Sequence, residues 1–366
     1  MHARIAPSSL ATTVVCAAHV QMAEPYRDAP PTPETLEGDA AHHVAMAYAN
    51  GNELPAGAPT PQGVPVDADM VAGAQLWRDT VGLYGYTELP VAIPRIHPTE
   101  CAGTPDWWRH DPIENVLRVW DYKYGHLFVD AFENYQLIAY ACGLLDFLGL
   151  SDLHTTVELG IVQPRSYHKD GPVRRWRIMG HELRGYVNRA AFAAHEALAP
   201  NPTARAGAHC EFCPGRHECR TLQNAANSVA DFMGTMDRVN LPPAALAAEL
   251  TILDNAATLL EARRTGLQAQ ATAMIRRGER VPGFALEAAA GRLKWKVPPE
   301  EVAQFADLLG VNVRKPLDIL TPTQAIAAGL DAAVINAQYA ERPPGAMKLV
   351  PESTTQARKV FGANAT

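Results

Sequence analysis

Val116-Leu117-Arg118-Val119-Trp120-Asp121-Tyr122-Lys123 begins as a strand and ends in chemistry. Residues 116–122 carry the β-branched and aromatic residues that suit a pleated surface. Asp121 and Lys123, two positions apart, fall on the same face, because side chains alternate along a strand. Upstream, Gly103-Thr104-Pro105-Asp106 ends in a second acid, and the intervening His110-Asp111-Pro112-Ile113-Glu114-Asn115 has the polar, proline-bearing make-up of a turn. The expectation is a hairpin whose paired strands bring Asp106 and Asp121 together. Two neighbouring carboxylates suit Mg²⁺ or Mn²⁺, and the ammonium beside them suits a water or a phosphate oxygen.

The surrounding pattern predicts an α/β core. Residues 1–50 hold a first helix with Cys16, a loop rich in proline (Pro25, Pro30, Pro31, Pro33) and an alanine-rich helix bearing His42 and His43. Residues 51–63 are a loop by composition, and 71–83 a helix. Strands are expected at 91–96, 106–109 and 116–123, with a helix at 135–150 packing on them. One reading of 157–162 and 173–178 makes them the strands of a second hairpin, and 185–198 leads to a group of cysteines. Residues 242–277 have almost no helix breakers and repeat Leu246, Leu250, Leu253, Ala257 and Leu260 at helical spacing, as one long amphipathic helix or a helical hairpin would. Three regions follow: a core at 1–220 closed by cysteines, a helical extension at 221–280, and a small C-terminal region and tail at 281–366.

Gly103-Thr104-Pro105-Asp106, Asp121-Tyr122-Lys123 and Gln136-Leu137-Ile138-Ala139-Tyr140, in that order, resemble motifs II and III and the Q-L-x-x-Y helix of the RecB-like branch of the PD-(D/E)XK nucleases. Glu37-Gly38-Asp39-Ala40-Ala41-His42 resembles the branch's first motif, a glycine followed by a helix with a metal-binding histidine. Each piece is common by itself; four in the family's order are specific. The resemblance implies a central mixed sheet flanked by helices, with a helical C-terminal extension, hydrolysing phosphodiester bonds in DNA. It implies that His42, Asp106, Asp121 and the carbonyl of Tyr122 hold Mg²⁺ or Mn²⁺, and that Lys123 positions the attacking water or stabilises developing charge. Gln136 and Tyr140, four apart on one helical face, would brace the metal-bearing strand or touch the substrate. From the residues alone, His42 also reads as an ordinary helix residue with His43 as a competing ligand. Asp106 also reads as the end of a turn, and Asp121 with Lys123 as a surface ion pair contributing at most about 1 kcal/mol.

Cys210-x2-Cys213-x5-Cys219 with the distant Cys16 is similar to the cysteine set of the iron–sulfur nucleases of this group, including AddB-like helicase-nuclease subunits and CRISPR spacer-acquisition nucleases. That likeness implies a [4Fe-4S] cluster held by four thiolates and tying the two ends of the core together. A structural Zn²⁺ is the alternative, because His209 and His217 flank the triple. Cys101 and Cys142 read as bystanders, small apolar residues in practice. Val281-Pro282-Gly283-Phe284, Lys294-Trp295-Lys296 and Leu349-Val350-Pro351-Glu352-Ser353 resemble the tail of a phage-encoded family of RecB-like proteins of unassigned function.

A formal charge of −7 argues against coating nucleic acid by bulk positive charge, so contact with DNA must be local. Residues 165–189 offer Arg165, Lys169, Arg174, Arg175, Arg177, Arg184 and Arg189 with Tyr167 and Trp176 interleaved, either a phosphate track or the wet face of a hairpin. Arg276-Arg277 through Arg280, and Arg292-Leu293-Lys294-Trp295-Lys296, are similarly open. Neither a convincing secretion signal nor a membrane-length apolar run is present in the sequence, which leads to the expectation of a cytoplasmic protein. The expected activity is a phage-type exonuclease in DNA recombination or repair, with DNA as its partner and a single-strand annealing protein or helicase beside it. An inactive DNA-binding or scaffold protein on the same fold is the alternative.

Overall fold

The computed structural model describes residues 3–166, 171–233, 242–290, 294–315, 318–319, 321–327, 329–341 and 344–351. Tyr167, Lys169, Arg292, Leu293, Glu352 and Ser353, named above, lie outside them. The chain divides into two units, Met1–Arg263 and Arg264–Thr366.

The first unit runs α1 (Leu10–Val15), α2 (His19–Ala23), α3 (Pro33–Ala49), α4 (Ala68–Val81), β1 (Tyr86–Thr87), β2 (Val91–Ala92), β3 (Ala102–Gly103), β4 (Trp107–Asp111), β5 (Val116–Tyr122), α5 (Tyr135–Phe147), β6 (Thr156–Val162), β7 (Val173–Met179), α6 (Arg184–Leu198), α7 (Arg220–Met233) and the first part of α8 (Pro243–Arg276). Five strands form one mixed sheet in the order β1-β4-β5-β6-β7. The β4–β5 and β6–β7 pairs are antiparallel hairpins, and β5–β6 is parallel. A parallel pair needs a crossover, and α5 supplies it. The fold class is therefore the expected one: a mixed central sheet flanked by helices, with a helical C-terminal part.

β5 and β6 are buried on both faces, which is why they read as nearly continuous apolar runs. On one face Leu117, Val119, Leu159 and Ile161 pack against Leu137, Ile138 and Leu144 of α5 and Ala190 and Ala194 of α6. On the other, Trp107, Trp120, Tyr122 and Val162 meet Val44 of α3 and Met70 and Trp77 of α4. Trp120 lies so close across β6 that a Cβ on Gly160 would come within 2.2 Å of its ring. The strand expected at 91–96 stops after Ala92. Pro94 has no N–H for a ladder, and the chain turns there instead, with Ile96 and His97 both donating to the Ile93 carbonyl.

α8 is a single unbroken helix, and the division between the units falls within it. In the second unit, strands Phe284–Ala290 and Pro344–Pro351 pair antiparallel with Pro351 opposite Phe284, so the two outer tail segments singled out in the sequence are neighbours. Lys294–Trp295 pairs with Ala340–Glu341, and Ala303, Ala306, Val313 and Ile335 form a small core. Among the described residues no helix is long and apolar enough to cross a membrane.

Candidate functional site

The β4–β5 register sets Trp107 opposite Trp120, so the next residues out, Asp106 and Asp121, meet at one end of the hairpin. Asp106 Oδ2 accepts the Tyr122 backbone N–H at 2.7 Å, and its Oδ1 stands 3.1 Å from His42 Nε2. It is His42 of α3 that reaches this carboxylate. Asp121 is 1% exposed. Its Oδ1 accepts from Gln136 Nε2 at 2.8 Å. The Lys123 ammonium is 2.8 Å from Oδ2, yet that oxygen receives no aligned hydrogen bond. Lys123 also donates to Gln136 Oε1 at 3.2 Å, and Gln136 Nε2 donates to Tyr140 Oη at 3.5 Å.

The crossover explains why Gln136 arrives here. α5 starts soon after β5 ends, so its first turn lies by the strand's carboxyl end. Asn134 caps it by accepting from the backbone N–H groups of Gln136 and Leu137. The positive end of the helix then faces Asp121. Gly103 serves the same assembly: a Cβ there would come within 2.8 Å of the Tyr140 ring and of Pro7.

Burial pushes the Asp121 carboxyl up to about 6, the Asp106 charge adds to this, and Lys123 and His42 oppose it. Burial pulls His42 down, but the hydrogen bond and charge of Asp106, with Glu88 and Asp121, raise it overall. Lys123 is likewise pulled down by burial and raised overall by Asp121. Glu88 was missed in the sequence. Its Oε1 is 3.9 Å from His42 Nδ1, its N–H donates to the Asp106 carbonyl at 3.3 Å, and its φ is 52°. A left-handed non-glycine residue beside a functional cluster marks a functional hypothesis, but nothing in Tyr86-Thr87-Glu88 announces that backbone.

An imidazole and two carboxylates, one oxygen of which (Asp121 Oδ2) is buried with no aligned donor among the described residues, form a donor set suited to Mg²⁺ or Mn²⁺. Among the described residues no three His, Cys, Asp or Glu side chains close on a point as a finished metal shell would. The groups stand in a connected series of contacts in which Lys123 and Gln136 are the links around Asp121.

The four motif cysteines line one small cavity of about 20 Å³, together with His19, Met22, Arg205 and His209. Two segments far apart in sequence build it. Ala18 N–H donates to the Thr203 carbonyl at 3.1 Å, Gln21 Nε2 to the Ala199 carbonyl at 2.7 Å, and Arg205 N–H to Cys16 Sγ at 3.5 Å. Gly215 is required for the approach, since a Cβ would come within 2.4 Å of the Met22 carbonyl. His209 Nε2 lies 3.8 Å from Cys210 Sγ, whereas His217 pairs with Tyr26 Oη at 2.9 Å. Burial raises the Cys210 thiol and pushes Cys213 up to about 11. The donor chemistry fits a thiolate-bound metal group. Cys101 and Cys142 are buried elsewhere, both pushed up to about 12 by burial.

The basic stretch divides by strand alternation. Arg175 and Arg177 are on the exposed side of β7, Arg175 over the Trp120 ring at 5.0 Å and Arg177 3.0 Å from Glu158. Arg174, expected beside them on a phosphate track, is instead 5% exposed. It donates to the carbonyls of Val129 (2.8 Å) and Gly171 (2.7 Å) and to Gln163 Oε1 (2.6 Å). It is a structural residue because period two turns it to the opposite face. Arg165 bridges Glu37 of α3 at 2.8 Å, and Trp176 packs edge-on to Phe132 and Tyr186.

A family model described as "Protein of unknown function (DUF2800)" matches residues 94–357, and the chain belongs to that family. The matched stretch contains Asp106, Asp121, Lys123 and the cysteine triple; His42 and Cys16 precede it.

Proposed function

We propose that this member of the DUF2800 family is a metal-dependent deoxyribonuclease of the RecB-like PD-(D/E)XK kind, an exonuclease serving DNA recombination or repair. The observation that carries the reading is the meeting, at the end of one hairpin, of His42, Asp106, Asp121 and Lys123, which come from separate parts of the chain. Turn acids, an ordinary helix histidine and a surface ion pair do not require such a meeting, and Asp121 is buried where the bland reading wanted it exposed.

In this reading His42, Asp106, Asp121 and the Tyr122 carbonyl hold Mg²⁺ or Mn²⁺, which when bound supplies an activated water and neutralises charge on the scissile phosphate. Lys123 orients the attacking water or meets the developing charge. Gln136 fixes the Asp121 carboxylate by its 2.8 Å amide donation, and Tyr140 supports Gln136. Arg175 and Arg177 offer local charge to the DNA backbone in a chain that is acidic overall. Cys16, Cys210, Cys213 and Cys219 hold an iron–sulfur cluster that fastens the N-terminal segment to the 203–219 region. His209, whose Nε2 lies 3.8 Å from Cys210 Sγ, is the observation on the side of Zn²⁺.

Purified protein incubated with linear duplex and single-stranded DNA and Mn²⁺ tests the activity. The expected result is cleavage by the wild type that Asp121→Ala abolishes. Binding without cleavage would favour the inactive DNA-binding alternative, and equal cleavage by Asp121→Ala would remove the assignment.

A further inference from the structure

His19 follows Cys16 by one turn of chain, and its backbone N–H donates to the Cys16 carbonyl at 3.0 Å. The residue lines the same cavity as the four cysteines, and a larger, open one beside Arg4 and Glu24. It is 8% exposed, and its Nδ1 is buried with no hydrogen-bond partner among the described residues. Leaving a buried ring nitrogen unpaired is costly, so such an atom in a folded protein calls for a partner the polypeptide does not provide. The neighbouring histidines are differently placed: His209 Nε2 is 2.9 Å from the Arg205 carbonyl, and His217 is with Tyr26.

We propose that His19 donates an Nδ1–H hydrogen bond to a sulfur of the iron–sulfur cluster bound by Cys16, Cys210, Cys213 and Cys219. The inference rests on the cluster reading above and adds to the four thiolates a fifth group, which positions and tunes without ligating. A cluster held by four thiolates is anionic and gains a further negative charge on reduction. A hydrogen bond to its sulfur therefore favours the reduced form, and hydrogen bonds to sulfur are among the factors that set the potentials of these centres. The short turn from Cys16 to His19 keeps donor and ligand in fixed relation.

The test uses full-length protein purified anaerobically, with the cluster followed by absorption and by electron paramagnetic resonance during a redox titration. His19→Leu should still be brown, with its reduction equilibrium shifted about tenfold toward the oxidised form, ~59 mV lower for one electron. His19→Asn, whose side-chain N–H₂ can stand in for Nδ1–H, should recover most of the shift. With ¹⁵N-labelled histidine, pulsed measurements on the reduced cluster should show a weakly coupled nitrogen in wild type that is missing from His19→Leu, beside any coupling from His209, which lies 3.8 Å from Cys210 Sγ. An unchanged potential in His19→Leu, an equal shift in His19→Asn, or a missing nitrogen coupling overturns the role of His19 while leaving the cluster intact. A colourless wild type holding stoichiometric zinc removes the cluster, and the proposal with it.

Discussion

The carboxylate cluster and the cysteine pocket are both built from distant segments, yet they stand at different stages of completion. At the carboxylates the polypeptide has already engaged the groups: His42 against Asp106, Gln136 and Lys123 on Asp121, Tyr122 N–H on Asp106. At the cysteines, four thiols line a small cavity, and burial holds Cys210 and Cys213 toward their protonated forms. On the proposed reading, the sheet brings the first set of groups together by itself, whereas a bound metal group would complete the second. Metal loss should therefore silence one and loosen the other.

The largest effect expected is on cleavage. Asp121→Ala and Lys123→Ala should each lower the rate by roughly 10³-fold or more, since both act on charge in the transition state. Circular dichroism should show both variants folded. Activity retained in either breaks the comparison at its first term.

Next comes stability. Replacing Cys213 with Ala, or stripping the metal group with a chelator, should lower the melting temperature by about 10–20 °C, corresponding to the loss of about 5 kcal/mol in a unit of this size. Thermal melts of Asp121→Ala should show no comparable loss. If the two variants melt alike, the sites are not different in kind.

The pH response sharpens the contrast. Burial raises the Asp121 carboxyl in the folded chain above its ordinary range, so the folded state binds its proton more tightly than the unfolded state does. The contribution is absent below the unfolded value. It grows unfavourable as pH rises above that value and levels off above the raised folded one in the metal-free protein. Mn²⁺ competes with that proton and with the one on His42, so calorimetric titrations should show affinity falling as pH is lowered through about 6. A flat profile from pH 5 to 8 would contradict the assigned ligands.

The smallest effects separate the arginines. Arg175→Ala and Arg177→Ala should weaken DNA binding a few-fold and reduce its salt dependence by about one ion each. Arg174→Ala should instead cost about 2–4 kcal/mol of stability, since it removes three hydrogen bonds, one buried and two partly buried. Anisotropy titrations and denaturant melts tell the two outcomes apart.

Much of the first unit is legible in its residues. The 116–122 strand, the 135–147 helix and the β6–β7 hairpin follow from period and composition, and the order of Asp106, Asp121, Lys123, Gln136 and Tyr140 anticipates their contacts because a hairpin and a crossover fix where they end. Arg174 leaves the phosphate track because strand alternation along 173–178 separates it from Arg175 and Arg177, which a reading of 165–189 as one run of charge does not register. Glu88 was invisible because a left-handed backbone at a non-glycine residue leaves no compositional mark. The unpaired Nδ1 of His19 depends on the docking of 203–215 against α2, a tertiary fact that no local pattern encodes.

The most direct test of the central claim is the anomalous signal of manganese in crystals grown with Mn²⁺. An ion about 2.1 Å from His42 Nε2 and from oxygens of Asp106 and Asp121, with Lys123 displaced toward solvent or Gln136, is the result predicted. Manganese bound elsewhere, with Lys123 still closed on Asp121, would contradict it.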